Sequence, residues 1–115
     1  MIITIHKGLT LEKWCKSSLN EQLANVGCDV SRAIKGRNSG DLEFSQQSFL
    51  RALELLSLTI LDPKHKGKGS LKELLRVREA LIDYFMFDNN YKTDDVFWDN
   101  YFLNFNYMHA IEKGR

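Results

Sequence analysis

Proline and cysteine are scarce in this chain, with one proline and two cysteines among 115 residues. This composition excludes collagen-like and proline-rich disordered chains. Cys15 and Cys28 are too few for a disulfide scaffold and are not spaced as a close metal-binding pair. We therefore expect free thiols and a cytoplasmic protein.

The chain also lacks an excess of charge of either sign and a long hydrophobic run. Sixteen Lys and Arg against fifteen Asp and Glu give a formal net charge of +1, so nucleic-acid binding is disfavoured and would require a local basic patch. The N-terminal apolar run, 1–5, is too short for a signal peptide, and no segment is long enough to span a bilayer. We expect no membrane association.

Apolar residues recur every three to four positions along most of the chain, whose length is typical of one domain. The pattern predicts an all-α fold: a single domain over 1–115 that forms a four-helix antiparallel bundle. The helices are predicted at about 18–36, 41–61, 70–87 and 94–112, after a short irregular arm at 1–17. Within the arm a short strand, a helical turn around Trp14 and a loose segment all remain open.

Capping residues set these helix boundaries. Ser18 and Ser70 each precede a glutamate by three positions, which is the spacing of a capping box, and Thr93 is a plausible N-cap. Asp62 precedes the single proline and ends the second predicted helix. Gly27 borders the apolar stripe of the first helix, where we expect it to admit a close helix neighbour.

Two signatures common in catalytic helical bundles are missing. No histidine follows a glutamate by three positions and no two glutamates stand three apart, which argues against di-iron and magnesium-dependent hydrolase sites. Arg76, Glu79 and Asp83 predict a solvated charged face that would hold a cation only with further ligands. We expect no metal, no cofactor and no catalytic residues.

Two segments, 51–56 and 76–85, carry a resemblance to known proteins. These segments resemble uncharacterised small prokaryotic helical proteins. The size of the chain and the pair of helices from Phe49 to Phe85 resemble HEPN-type bundles. The resemblance implies a helical bundle of the kind found with nucleotidyltransferases and in toxin-antitoxin systems. The ribonuclease members carry an arginine four to six residues before a histidine, and no histidine here has that spacing, so no ribonuclease residue is transferred.

Arg78 falls near the centre of the apolar stripe of the third predicted helix, and Glu54 lies among leucines on the far side of the second. Because an unpaired buried charge costs several kcal/mol, we expect Arg78 and Glu54 to meet as a structural ion pair. The alternative is a ligand-binding arginine that Glu54 orients in a pocket.

A basic loop precedes the third predicted helix. Lys64, Lys66, Lys68 and Ser70 lie just before or at its first turn, where free amides and the helix dipole attract anions. The loop is interpreted as a solvated turn or as a weak site for phosphate or a nucleic-acid backbone.

The fourth predicted helix has more aromatic residues than one core seam can bury. The core seam is assigned to four residues: Phe97, Tyr101, Phe105 and Met108. Trp98 and Phe102 widen one side of this seam, and Leu103 and Tyr107 project from the opposite face. The surplus rings would pack on the N-terminal arm, on another subunit or on a partner protein.

These features predict a non-enzymatic helical interaction module that forms a homodimer through Trp98, Phe102 and Tyr107. The alternative is a nucleic-acid-associated or toxin-antitoxin-type protein that uses the basic loop. A small enzyme or ligand-binding protein with a pocket around Arg78 is third.

Overall fold

The computed structural model describes residues 8–114, and these residues are helical or loop, with no strand. The all-α prediction is therefore confirmed. The five helices are α1 (Leu11–Trp14), α2 (Leu19–Ser39), α3 (Leu42–Leu61), α4 (Gly69–Met86) and α5 (Asp95–Lys113), with a 3₁₀ turn at Pro63–His65. The four long helices lie close to their predicted bounds, and 1–7 of the expected arm lie outside the described residues.

Within 8–17 the arm contains a helical turn, α1, which is one of the three alternatives. α1 begins after Thr10, whose hydroxyl accepts a hydrogen bond from the Lys13 amide. Trp14 is buried, and its indole N–H donates to the Thr59 hydroxyl of α3 at 3.0 Å. Because a buried indole N–H needs an acceptor, this bond holds the arm against α3.

The N-caps follow the sequence in part. The Ser18 side chain caps α2 as expected, but α4 begins at Gly69, so Ser70 is already inside the first turn and does not cap it. The cap of α5 is Asp94 instead of Thr93. Thr93 does not cap the helix because its hydroxyl accepts a hydrogen bond from the Trp98 indole N–H at 2.9 Å.

The centre of the fold is a hairpin of α2 and α3. Gly40 joins the two helices in the left-handed conformation, at φ 85°, where a glycine avoids the steric penalty of a Cβ atom. α5 packs mainly on α2, and α4 packs mainly on α3. The core is formed mainly by α2 and α3, completed by Leu74, Val77 and Leu81 of α4 and by Trp98 and Phe102 of α5.

Gly27 is the point of closest approach between α2 and α5. A Cβ atom added there would lie 2.5 Å from Cβ of Phe102, well inside van der Waals contact. The expected close neighbour is thus α5, and the missing side chain lets Phe102 lie directly on the α2 backbone.

We expect Gly27→Ala to destabilise the protein by about 1 to 3 kcal/mol, because the overlap with Phe102 costs more than the helix propensity of alanine returns. The matched control is Gly69→Ala, since a Cβ atom at that position meets nothing within 4 Å. Urea denaturation of both variants measures the difference. Equal stabilities would show that α5 can shift away from α2 at no cost.

Candidate interaction surfaces

The prediction that Arg78 and Glu54 meet as a buried ion pair is wrong. Glu54 is buried, as expected, but Arg78 is exposed to solvent. The core face of α4 passes through Leu74, Val77 and Leu81. This face is rotated toward Val77 relative to the stripe read from the sequence, which moves Arg78 out of the core.

Arg78 instead lines an open cavity of about 610 Å³ on the outer side of α4. Leu75, Ile82, Phe87 and Tyr91 supply apolar surface there, and Leu75 and Phe87 are 50% and 71% exposed. Glu54 does not line this cavity. Arg78 is therefore available to a ligand, but Glu54 does not orient it there.

The basic loop is not a uniform cationic surface, because Lys64 has a structural role. Its ammonium group donates to the backbone carbonyls of Cys15, at 2.9 Å, and Ser17, at 2.8 Å, and forms an ion pair with Asp62. Lys64 thereby ties the end of the arm to the start of the loop. Lys66 and Lys68 remain exposed, and Ser70 is half-buried.

Asp62 belongs to a buried polar network that the sequence did not reveal. The Gln22 amide donates to the Asp62 carboxylate at 2.9 Å and to the Trp14 carbonyl at 3.1 Å, and Gln22 Oε1 lies 2.9 Å from His65 Nε2. Gln22, Asp62 and His65 are all at least 95% buried. Because buried polar groups need partners, this network specifies how the arm, α2 and the end of α3 fit together.

The network shifts two pKa values downward. Burial alone would raise the pKa of Asp62, but hydrogen bonds from Lys64 and Gln22 outweigh it and lower the value to about 2. Burial also lowers the pKa of His65, and this effect exceeds the opposing attraction of Asp62, whose Oδ2 lies 3.8 Å from His65 Nε2.

The surplus aromatic residues of α5 divide into two groups. Trp98 and Phe102 are 1% and 3% exposed, so assigning them to an interface is wrong, and they form the core contact with α2. Phe97 and Met108, which had been assigned to the seam, are 48% and 46% exposed. Tyr107 is 67% exposed and remains available for contact.

A further cluster of charged and aromatic side chains, which the sequence did not reveal, holds the first turn of α5. The Arg37 guanidinium lies 4.5 Å from the ring centroid of Tyr84 and 4.8 Å from that of Phe85, and it donates to Asp95 at 3.0 Å. Burial would raise the pKa of Asp95, but hydrogen bonds from Tyr84, Asn38 and Arg37 lower it. Cation–π contacts and a shared carboxylate thus join α2, α4 and α5.

The comparisons with known proteins do not assign the chain to a family. No protein-family model, curated protein or solved structure matches it, so the HEPN resemblance stays a prediction. Within 8–114, no group of three or more His, Cys, Asp and Glu side chains is placed to hold a metal ion. None of the helices described is long and apolar enough to cross a membrane.

We expect the free energy of unfolding to decrease in two stages as the pH is lowered. The folded pKa of each group lies below its unfolded value of about 6.5 for His65 and about 3.9 for Asp62, so the unfolded state binds more protons. Stability is lost first as the pH drops below about 6.5, because of His65. Below about pH 4, as the pH approaches the folded pKa of Asp62, roughly 2 kcal/mol more is lost.

Urea denaturation from neutral pH to the acid limit of folding measures both stages. His65→Gln should flatten the first stage and leave the second. An unchanged slope near pH 6 in that variant would show that His65 does not cause the first stage.

We expect Lys64→Met to cost about 1 to 3 kcal/mol, because it leaves the buried Asp62 carboxylate without its cation. The Lys64 side chain is itself 39% exposed, which keeps the cost below that of a fully buried pair. The matched controls are Lys66→Met and Lys68→Met, which remove exposed charges of the same loop. Thermal unfolding of the three variants compares them, and equal effects would exclude a special role for Lys64.

Proposed function

We propose that the chain is a non-enzymatic helical interaction module that forms a homodimer through the outer face of α5. The observation that carries this proposal is the exposure of Val96, Leu103 and Tyr107, at 65%, 60% and 67%. All three lie on the side of α5 opposite the core residues Trp98 and Phe102. Large apolar side chains gathered on one exposed helix face are typical of an interaction surface.

The spacing along this face favours a helix as the partner. Val96, Asn100, Leu103, Tyr107 and Ala110, which we call the α5 seam, are all exposed and are separated by alternating steps of four and three residues. Alternating steps of this kind place residues at the a and d positions of a coiled coil, where side chains of one helix enter gaps between side chains of the other. The α5 seam is therefore suited to pair with a second α-helix.

A second copy of the chain is the partner that the seam supports best. Asn100 is the one strongly polar residue of the seam, and a single asparagine at such a position sets register and oligomeric state in coiled coils. A two-fold dimer brings the same patch of both subunits together, so one seam suffices. With only five positions, we expect an association with Kd on the order of micromolar.

The other two hypotheses have unequal support. The cavity beside Arg78 supports a ligand-binding role, since an exposed cation there adjoins Leu75 and Phe87. Nucleic-acid binding is less supported, because Lys64 is engaged with Asp62 and backbone carbonyls and two lysines of the loop remain exposed. Cys15 and Cys28 are both free thiols, which supports our proposal of a cytoplasmic location.

We expect Leu103→Lys and Tyr107→Lys each to weaken self-association at least tenfold, because each places a charge in an apolar contact. Sedimentation equilibrium over roughly 0.1 to 500 μM brackets the expected dissociation constant. The matched control is Leu42→Lys, since Leu42 is also 67% exposed but belongs to α3 and not to the seam.

All three variants should have the same helical content as the unmodified protein, as measured by circular dichroism. A monomer over the whole concentration range would reject the homodimer. Equal weakening by Leu42→Lys would reject the α5 seam as the contact.

A further inference from the structure

A second surface lies between α4 and α5 and is independent of the α5 seam. The two helices pack on the central hairpin and leave a cleft of about 510 Å³ between them, closed at one end by the loop that joins them. Its lining includes Val77 and Ala80 of α4 and Phe97, Trp98 and Tyr101 of α5. A concave site of this size with aromatic walls is typical of small-molecule binding sites.

The aromatic wall is preformed. The Trp98 indole is held by the Thr93 hydroxyl at 2.9 Å, and its ring meets Phe97 and Tyr101 edge to face, with centroids 5.0 and 6.0 Å away. The rings of Phe97 and Tyr101 are nearly parallel, at 15°. A planar ligand thus finds ring surfaces that are already in place, and binding costs little ordering of the protein.

The charges around the cleft favour an uncharged ligand. Four exposed charged residues line it, Glu73, Arg76, Glu79 and Lys92. Two are acidic and two are basic, so the opposite signs balance. A cation or an anion would gain no net attraction from this rim and would lose hydration on entering an aromatic site.

One polar atom of the cleft has no well-formed hydrogen bond. No described residue meets the buried Tyr101 hydroxyl at ordinary hydrogen-bond geometry. Burial, the charge of the nearby Glu73 carboxylate and weak hydrogen bonding to it raise the pKa of Tyr101, so the hydroxyl keeps its proton and can donate. Because Glu73 is exposed, a ligand oxygen placed in the cleft can replace this weak contact at a buried donor.

We propose that the cleft between α4 and α5 binds an uncharged planar aromatic compound that carries an oxygen atom able to accept a hydrogen bond from Tyr101. The rings of such a compound lie against Phe97, Tyr101 and Ala80, and its oxygen reaches the buried hydroxyl. Phenolic and other oxygen-bearing bicyclic rings have the required shape and chemistry.

The test uses 2-naphthol as the probe, with isothermal titration and amide chemical-shift mapping on the full chain. A compound of this size should bind with Kd on the order of 0.1 to 1 mM. Shifts should be concentrated at 73–80 and 91–101. The charged analogues 2-naphthoate and 2-naphthylmethylammonium should each bind at least fivefold more weakly.

Two substitutions test the geometry. Ala80→Leu adds bulk inside the cleft and should weaken 2-naphthol binding at least tenfold, while Leu42→Ala, on an exposed leucine that does not line the cleft, should leave it unchanged. Tyr101→Phe removes the donor and should weaken 2-naphthol about two- to tenfold, with no effect on naphthalene. If Tyr101→Phe does not fold, the comparison of 2-naphthol with naphthalene on the unmodified protein tests the same hydrogen bond.

Three results would overturn the proposal. They are no binding of 2-naphthol up to its solubility limit, binding that Ala80→Leu does not weaken, and shifts centred on Arg78 and Phe87 of the neighbouring cavity. Equal binding of the charged analogues would reject the uncharged class of ligand.

Discussion

The contact of Gly27 with Phe102 is the constraint on which the arrangement of the outer helices depends. A side chain at Gly27 would occupy the space of the Phe102 ring, so only glycine lets α5 lie this close to α2. With Phe102 and Trp98 fixed against the hairpin, the rotation of α5 about its axis is set. That rotation places Val96, Leu103 and Tyr107 outward and Phe97 and Tyr101 toward α4.

Two polar clusters join parts of the chain that are far apart in sequence. In one of them Gln22, Asp62 and His65 join the arm, α2 and the end of α3, with Lys64 closing the network from outside. Elsewhere Arg37 joins α2 to α4 and to the first turn of α5. Such networks specify one arrangement because each member would be left unsatisfied in any other.

The two apolar surfaces follow from this frame. Because α4 and α5 rest on different helices of the hairpin, they leave an aromatic cleft between them. The α5 seam points the other way, so a partner helix and a small ligand would occupy separate faces. Occupancy of one site therefore need not exclude the other, although both are built on the same helix.

The sequence by itself determined the helical class, the order and approximate bounds of the four long helices and the close approach at Gly27. Local causes produce these features: apolar periodicity, the Ser18 cap and the glycine and proline breaks act within a few residues. Rotation of each helix about its own axis was decided by the tertiary structure. A shift of about one residue in the core face exposed Arg78 and buried Trp98, because broad apolar stripes on α4 and α5 allow more than one face to turn inward. The polar partners of Lys64, Gln22 and Arg37 also could not be predicted from the sequence, because they lie far away in the chain and only packing brings them together.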